Sequence, residues 1–154
     1  KGKVMKLTGE VLNSYKRNVI VDANSSKALF SVPLDEALKG VRKEDVFIHA
    51  VLLTDKGNSN YTNNYFLVKQ KEVNYPKAQL ATSVQPIEGG FEVTLSSDNF
   101  ARAVFIATGD ANSSFSDNYF DILPGSSVKV EVYTDLPLAT FEKQLKVVSL
   151  SDEY

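Results

Sequence analysis

The chain has no cysteine, no tryptophan, one methionine and one histidine. Without cysteine there is no disulfide, no thiolate metal site and no cysteine nucleophile. No stretch approaches the roughly 18 consecutive apolar residues of a membrane-spanning helix. Charge of one sign is scarce too: 17 basic and 19 acidic residues leave a net charge of −2, with neither sign gathered into a run. Phosphate contacts need concentrated Lys and Arg, so nucleic acid is excluded as a partner, and a membrane is not expected either. No dinucleotide-binding or phosphate-cradling glycine loop, no HExxH and no nucleophile elbow occurs. The start, Lys1-Gly2-Lys3, has neither initiator Met nor signal peptide and reads as a piece cut from a longer protein.

What is present is ordinary globular material. The 154 residues are 43% hydrophobic and 23% charged, enough for one medium domain or two small ones. Period-two alternation and β-branched residues dominate. Strand-like runs cover Val4–Asn13, Asn18–Asp22, Ala28–Leu34, Asn63–Lys69, Asn118–Leu123, Val128–Tyr133 and Leu145–Leu150. "DVFIHAVLLTD", Asp45–Asp55, is apolar on both faces and predicts a central strand covered on both sides. "KGNSN" after it is turn chemistry. "FEVTL", Phe91–Leu95, alternates strictly, and "AVFIAT", Ala103–Thr108, predicts a continuously buried strand. The only helix-like piece is Leu34–Gly40, closed by Gly40. Pro124-Gly125 suits the central positions of a type II turn. About ten strands with regular turn signals predict an all-β protein made of β-sandwiches. A change of texture near Pro76 divides them into two tandem modules, 1–75 and 76–154. "NYF" occurs at both Asn64 and Asn118, at different places in the two modules, which marks shared strand composition and not a repeat.

Candidate chemistry is thin. His49 sits mid-strand between apolar neighbours, which favours a structural histidine over a catalytic one. Asp110, Asn112, Ser114 and Asp117 loosely imitate an oxygen-rich calcium loop, but Phe115 stands where such a loop needs glycine, so a polar connection is the plainer reading. Glu88, Glu92, Asp98, Asp121 and Glu131 are scattered acids outside any acid-bearing motif. Tyr61, Tyr65, Tyr75 and Tyr119 could stack against sugars, although aromatics are common strand residues. Asn24, Asn60 and Asn112 head glycosylation sequons. No catalytic residue, metal ligand or cofactor contact emerges.

Three stretches of the second module, "FEVTLSSDNFARAVFIAT", "FSDNYFDILPGSSVKVEVYT" and "LKVVSLSDEY", resemble the C-terminal immunoglobulin-like domain of β-mannosidases in glycoside hydrolase family two. The middle one is the most specific. The first module, from "VPLDEALKG" through "NYFL" to the proline-containing passage at Pro76, resembles the sandwich preceding that domain. The resemblance implies two tandem immunoglobulin-like β-sandwiches, the first lacking its opening strands. It also implies that the two catalytic carboxylates lie on an upstream barrel of the same chain, so no catalytic residue falls here. The fragment is then expected to be a non-catalytic accessory region of an enzyme cleaving β-mannosides. The barrel would be its partner, a mannoside or glycan a further one, and the bacterial periplasm or exterior its location. A carbohydrate-binding module and an adhesion module are the alternatives, and an independent hydrolase comes last.

Overall fold

A strand with alternating apolar residues hides them only when a second layer covers that face. The computed structural model describes residues 1–53, 60–110 and 112–152. The chain divides into two units, Lys1–Asn74 and Tyr75–Tyr154.

In the first unit, β1 (Gly2–Lys6) and β2 (Val11–Tyr15) form a hairpin. The run Val4–Asn13 therefore makes two strands: Gly9 takes a φ of 102°, and the Lys6 N–H donates to the Glu10 carbonyl at 2.8 Å. Helix α1 (Leu34–Leu38) follows, ended by Lys39 and Gly40 at φ values of 51° and 80°. β3 (Val46–Leu53) and β4 (Asn60–Phe66) complete an antiparallel sheet ordered β2-β1-β3-β4. Ala37 and Leu38 pack on Val4, Leu12 and Val46, so α1 covers one end of one sheet face. The Asn13 amide donates to the Glu36 and Ala37 carbonyls, both at 3.0 Å, which gives partners to groups a short helix leaves open. Near the unit's end the Arg42 guanidinium beside Asp45, with Asn74, holds the Asp45 carboxyl below the usual carboxylate range.

Three expectations need correction here. Asn18–Asp22 and Ala28–Leu34 are not strands, and Ile20 is 81% exposed. Val and Ile favour a pleated surface, but a strand also needs a neighbour to bond with, and the described sheet ends at β2. Phe30 instead meets the Tyr15 ring at 6.0 Å, with the Arg17 guanidinium over the Phe30 ring, 5.7 Å from its centroid. The strand predicted over Asp45–Asp55 is buried on both faces only at Val46, which packs with α1, and Phe47, whose ring stacks on Phe66 at 6.3 Å; Ala50, Leu52 and Leu53 are exposed. β4 begins at Asn60 and ends at Phe66, three residues before the predicted end. The "KGNSN" turn falls largely on residues 54–59 and lies outside the described residues.

The second unit contains β5 (Leu80–Ile87), β6 (Gly90–Ser97), β7 (Ala101–Ala107), β8 (Ser114–Phe115), β9 (Phe120–Ile122), β10 (Ser127–Tyr133), α2 (Leu138–Gln144) and β11 (Lys146–Val148). They form two sheets, ordered β5-β6-β10-β8 and β11-β7-β9. Phe91, Val93, Leu95, Val130 and Val132 from the first meet Val104, Ile106 and Ile122 from the second, which makes a sandwich core. Phe91–Leu95 alternates as predicted. Ala103–Thr108 is not continuously buried: Val104 and Ile106 point inward, while Phe105 is half-exposed on the outer face. The sequence reading gave no helix at α2, yet Pro137 starts one and Phe141 anchors it, fully buried. The chain reverses at Leu123–Ser126, where Gly125 has the positive φ of 69° that a type II turn requires and the Ser126 N–H donates to the Leu123 carbonyl at 3.0 Å. β5 lies on a sheet edge and carries Pro86.

Gly90 lies hard against the backbone of the neighbouring strand β10. A Cβ there would lie 2.0 Å from the Val132 carbonyl oxygen. Gly90→Ala is expected to destabilise the second unit by about 1–3 kcal/mol through forced strand separation, measured as a lower urea midpoint with an unchanged slope.

Candidate functional site

The ten residues Ser116–Gly125 form the corner that joins the two sheets of the second unit. At the start, Ser116 exchanges bonds with β10: its N–H donates to the Glu131 carbonyl and its Oγ accepts the Glu131 N–H, both at 2.9 Å. Asp117 then caps the Asn118 N–H at 2.8 Å. The Asn118 side chain accepts the Ile106 N–H and donates to the Ile106 carbonyl, each at 2.8 Å. One amide side chain thus replaces a strand residue just before β9 begins.

Further along, β7 bulges between Ala101 and Val104, which takes the Ala103 N–H off the ladder. Asp121 accepts that N–H at 3.1 Å and pairs with the Arg102 guanidinium at 2.5 Å. Side-chain exposures of 28% for Arg102 and 16% for Asp121 make this a half-sheltered pair, stronger than a surface one.

Two residues here hold left-handed backbone without being glycine: Ala103 at φ 47° and Tyr119 at φ 59°. For a bulky side chain that conformation costs on the order of 1–3 kcal/mol. It turns the Tyr119 ring outward, 69% exposed, against Phe105 at a centroid distance of 4.9 Å. Val148 is the register partner of Phe105 and is 44% exposed. The outer face of the smaller sheet therefore carries Val148 and Phe105 on neighbouring strands, with Tyr119, just before β9, against Phe105, and the Arg102–Asp121 pair links β7 to β9.

The residues singled out by sequence are dispersed. His49 is half-buried in β3, its Nδ1 donating to the Asn64 Oδ1 at 2.8 Å, in register across the strand pair. Asp110 binds the Asn112 N–H, the Ser113 hydroxyl and the Thr134 hydroxyl, while Ser114 begins β8 and Asp117 caps its neighbour. The Asp110 and Asp117 carboxylates thus serve separate local bonds. Glu92 pairs with Lys129 at 2.7 Å, Asp98 accepts the Gln79 and Asn99 N–H groups, Glu131 accepts from the Tyr133 hydroxyl, and Glu88 is exposed in the β5–β6 turn. The Glu131 carboxylate raises the Tyr133 hydroxyl above the usual phenol range by that hydrogen bond.

The four tyrosines separate as well. Tyr61 and Tyr65 lie on one face of β4, opposite Leu52 and Ile48. Tyr75 is half-buried at the start of the second unit, and Tyr119 stands at the corner described above. Asn24 and Asn112 are exposed, and the Asn60 side chain lies outside the described residues. Arg102 and Phe105 escaped the sequence reading. The signal for Arg102 was a single cation in the otherwise apolar "ARAVFIA".

Comparison with known proteins gives a consistent pattern. The Ig_mannosidase family model, an Ig-fold domain, matches residues 75–153. The model described as a mannosidase Ig/CBM-like domain matches residues 1–72. Among solved structures, the crystal structure of a β-D-mannosidase from Dictyoglomus thermophilum is similar with a TM-score of 0.74 at 22% identity. The alignment covers 97% of this chain and 18% of that chain, so this chain spans less than a fifth of that protein. No curated protein sequence matches.

Proposed function

The chain belongs to the mannosidase Ig-fold domain family, whose model spans residues 75–153, and from that premise we propose that it is a non-catalytic accessory region of a β-mannosidase. The observation that carries the reading is the asymmetry of coverage: nearly all of this chain aligns with 18% of a β-D-mannosidase. Fold alone never fixes function, but a piece of this kind leaves most of such an enzyme to hold the chemistry. The parent chain would remove terminal β-D-mannose residues with carboxylates carried on its barrel. These modules would pack against that barrel or against neighbouring modules. The engagement of Glu92 and Asp121 in ion pairs between neighbouring strands, and of Asp98 and Glu131 in hydrogen bonds, suits a scaffold.

The test is hydrolysis of an aryl β-mannoside by the 154-residue chain beside the same chain joined to its natural upstream sequence. Turnover is expected only in the longer chain. Turnover by the short chain, or none by the longer one, would overturn the assignment.

A further inference from the structure

The corner motif explains how the sandwich closes, but the exposed ring of Tyr119 is not among the groups that bond its strands together. Tyr119 needs left-handed backbone at φ 59°, a conformation that glycine or asparagine takes more readily. The chain nevertheless carries a large ring there, 69% exposed and backed by Phe105 at 4.9 Å. Strained backbone that displays a side chain is characteristic of ligand contacts.

We propose that Tyr119, Phe105 and Val148, together with the Arg102–Asp121 pair, form a shallow saccharide-binding site for a pyranose unit of a β-mannoside; the choice of mannoside rests on the function proposed above. Three apolar side chains are far too small a patch for a stable protein partner, which needs about 20–30 residues a side. A single sugar ring needs no more than this. Its C–H face is apolar and weakly positive and matches the negative face of an aromatic ring. Its hydroxyl edge both donates and accepts, and the adjacent pair supplies a carboxylate acceptor and a guanidinium donor. The pair is neutral as a whole, which fits an uncharged ligand and not a phosphate or a peptide acid.

The experiment is amide NMR of the 154-residue chain titrated with β-mannobiose, and in parallel with cellobiose. Amides of residues 102–106, 118–121 and Val148 are expected to shift with β-mannobiose. Tyr119→Phe keeps the ring and should keep the shifts. Tyr119→Asn suits the left-handed backbone, so it should leave the fold intact while weakening binding about tenfold or more. No shift with either sugar, shifts confined to the Tyr61 and Tyr65 strand, or equal binding by Tyr119→Asn would overturn the site. Shifts with cellobiose alone would keep the site but overturn its mannoside assignment, and with it the substrate of the preceding section. Loss of both sugars beside mannoside turnover by the longer chain would sink the site and leave that section standing.

Discussion

Phe141→Ala is expected to destabilise the second unit by about 3–5 kcal/mol. Phe141 is fully buried and stacks on Phe91 with centroids 4.4 Å apart. It is also the one buried side chain of α2, a helix of seven residues. A helix that short has no stability of its own and persists only through what it packs against. Truncation therefore removes the ring contacts, opens a cavity over β6 and releases the helix at once. Phe141→Leu keeps most of the volume and should cost under about 1.5 kcal/mol. Urea unfolding followed by far-ultraviolet circular dichroism, with hydrogen exchange at Phe91 and Val93, reads both. A loss below about 1 kcal/mol for the alanine variant would show that α2 is an ornament on the sandwich and not part of its core.

Asn118→Ala should be nearly as damaging, at about 2–4 kcal/mol, because it strands two backbone groups of a buried strand residue. Ile106 is fully buried, and both its N–H and its carbonyl depend on the Asn118 amide. Asn118→Asp separates the two bonds: its carboxylate still accepts the N–H but faces the carbonyl with like polarity. The aspartate variant is expected to recover less than half of the loss. Exchange of the Ile106 amide is the local measure. Protection unchanged in Asn118→Ala would mean that another group, or water, holds that strand edge.

These two residues also mark how far the sequence could be read. Alternation at Phe91–Leu95 and Val128–Tyr133 was legible because a period of two survives any arrangement of neighbours. Asn18–Asp22 shows the limit, since its Val and Ile content says nothing about whether a bonding edge is within reach. α2 was missed for the opposite reason: "LATFEKQ" carries one core residue in seven, too few to display a helical period. At the corner, the proline-glycine turn could be deduced from residue chemistry alone. The partner of Asn118 could not, because Ile106 lies twelve residues earlier and its open groups exist only where β9 stops short. Both short polar residues bond a neighbouring N–H, Asp117 that of Asn118 and Asn118 that of Tyr119, but only Asn118 also reaches across to another strand. The ion pair of Arg102 and Asp121 depended likewise on a bulge that only strand register reveals.

The edges of the second unit have a consequence for how such modules live side by side. A long, straight border strand is an open invitation to any other chain seeking partners, and tandem modules hold their neighbours at high local concentration. Here the eight-residue border β5 contains Pro86, which has no N–H to offer, and the other borders are two or three residues long. Edge-to-edge pairing is thereby discouraged at each border of this unit, by the missing N–H on β5 and by shortness on the others.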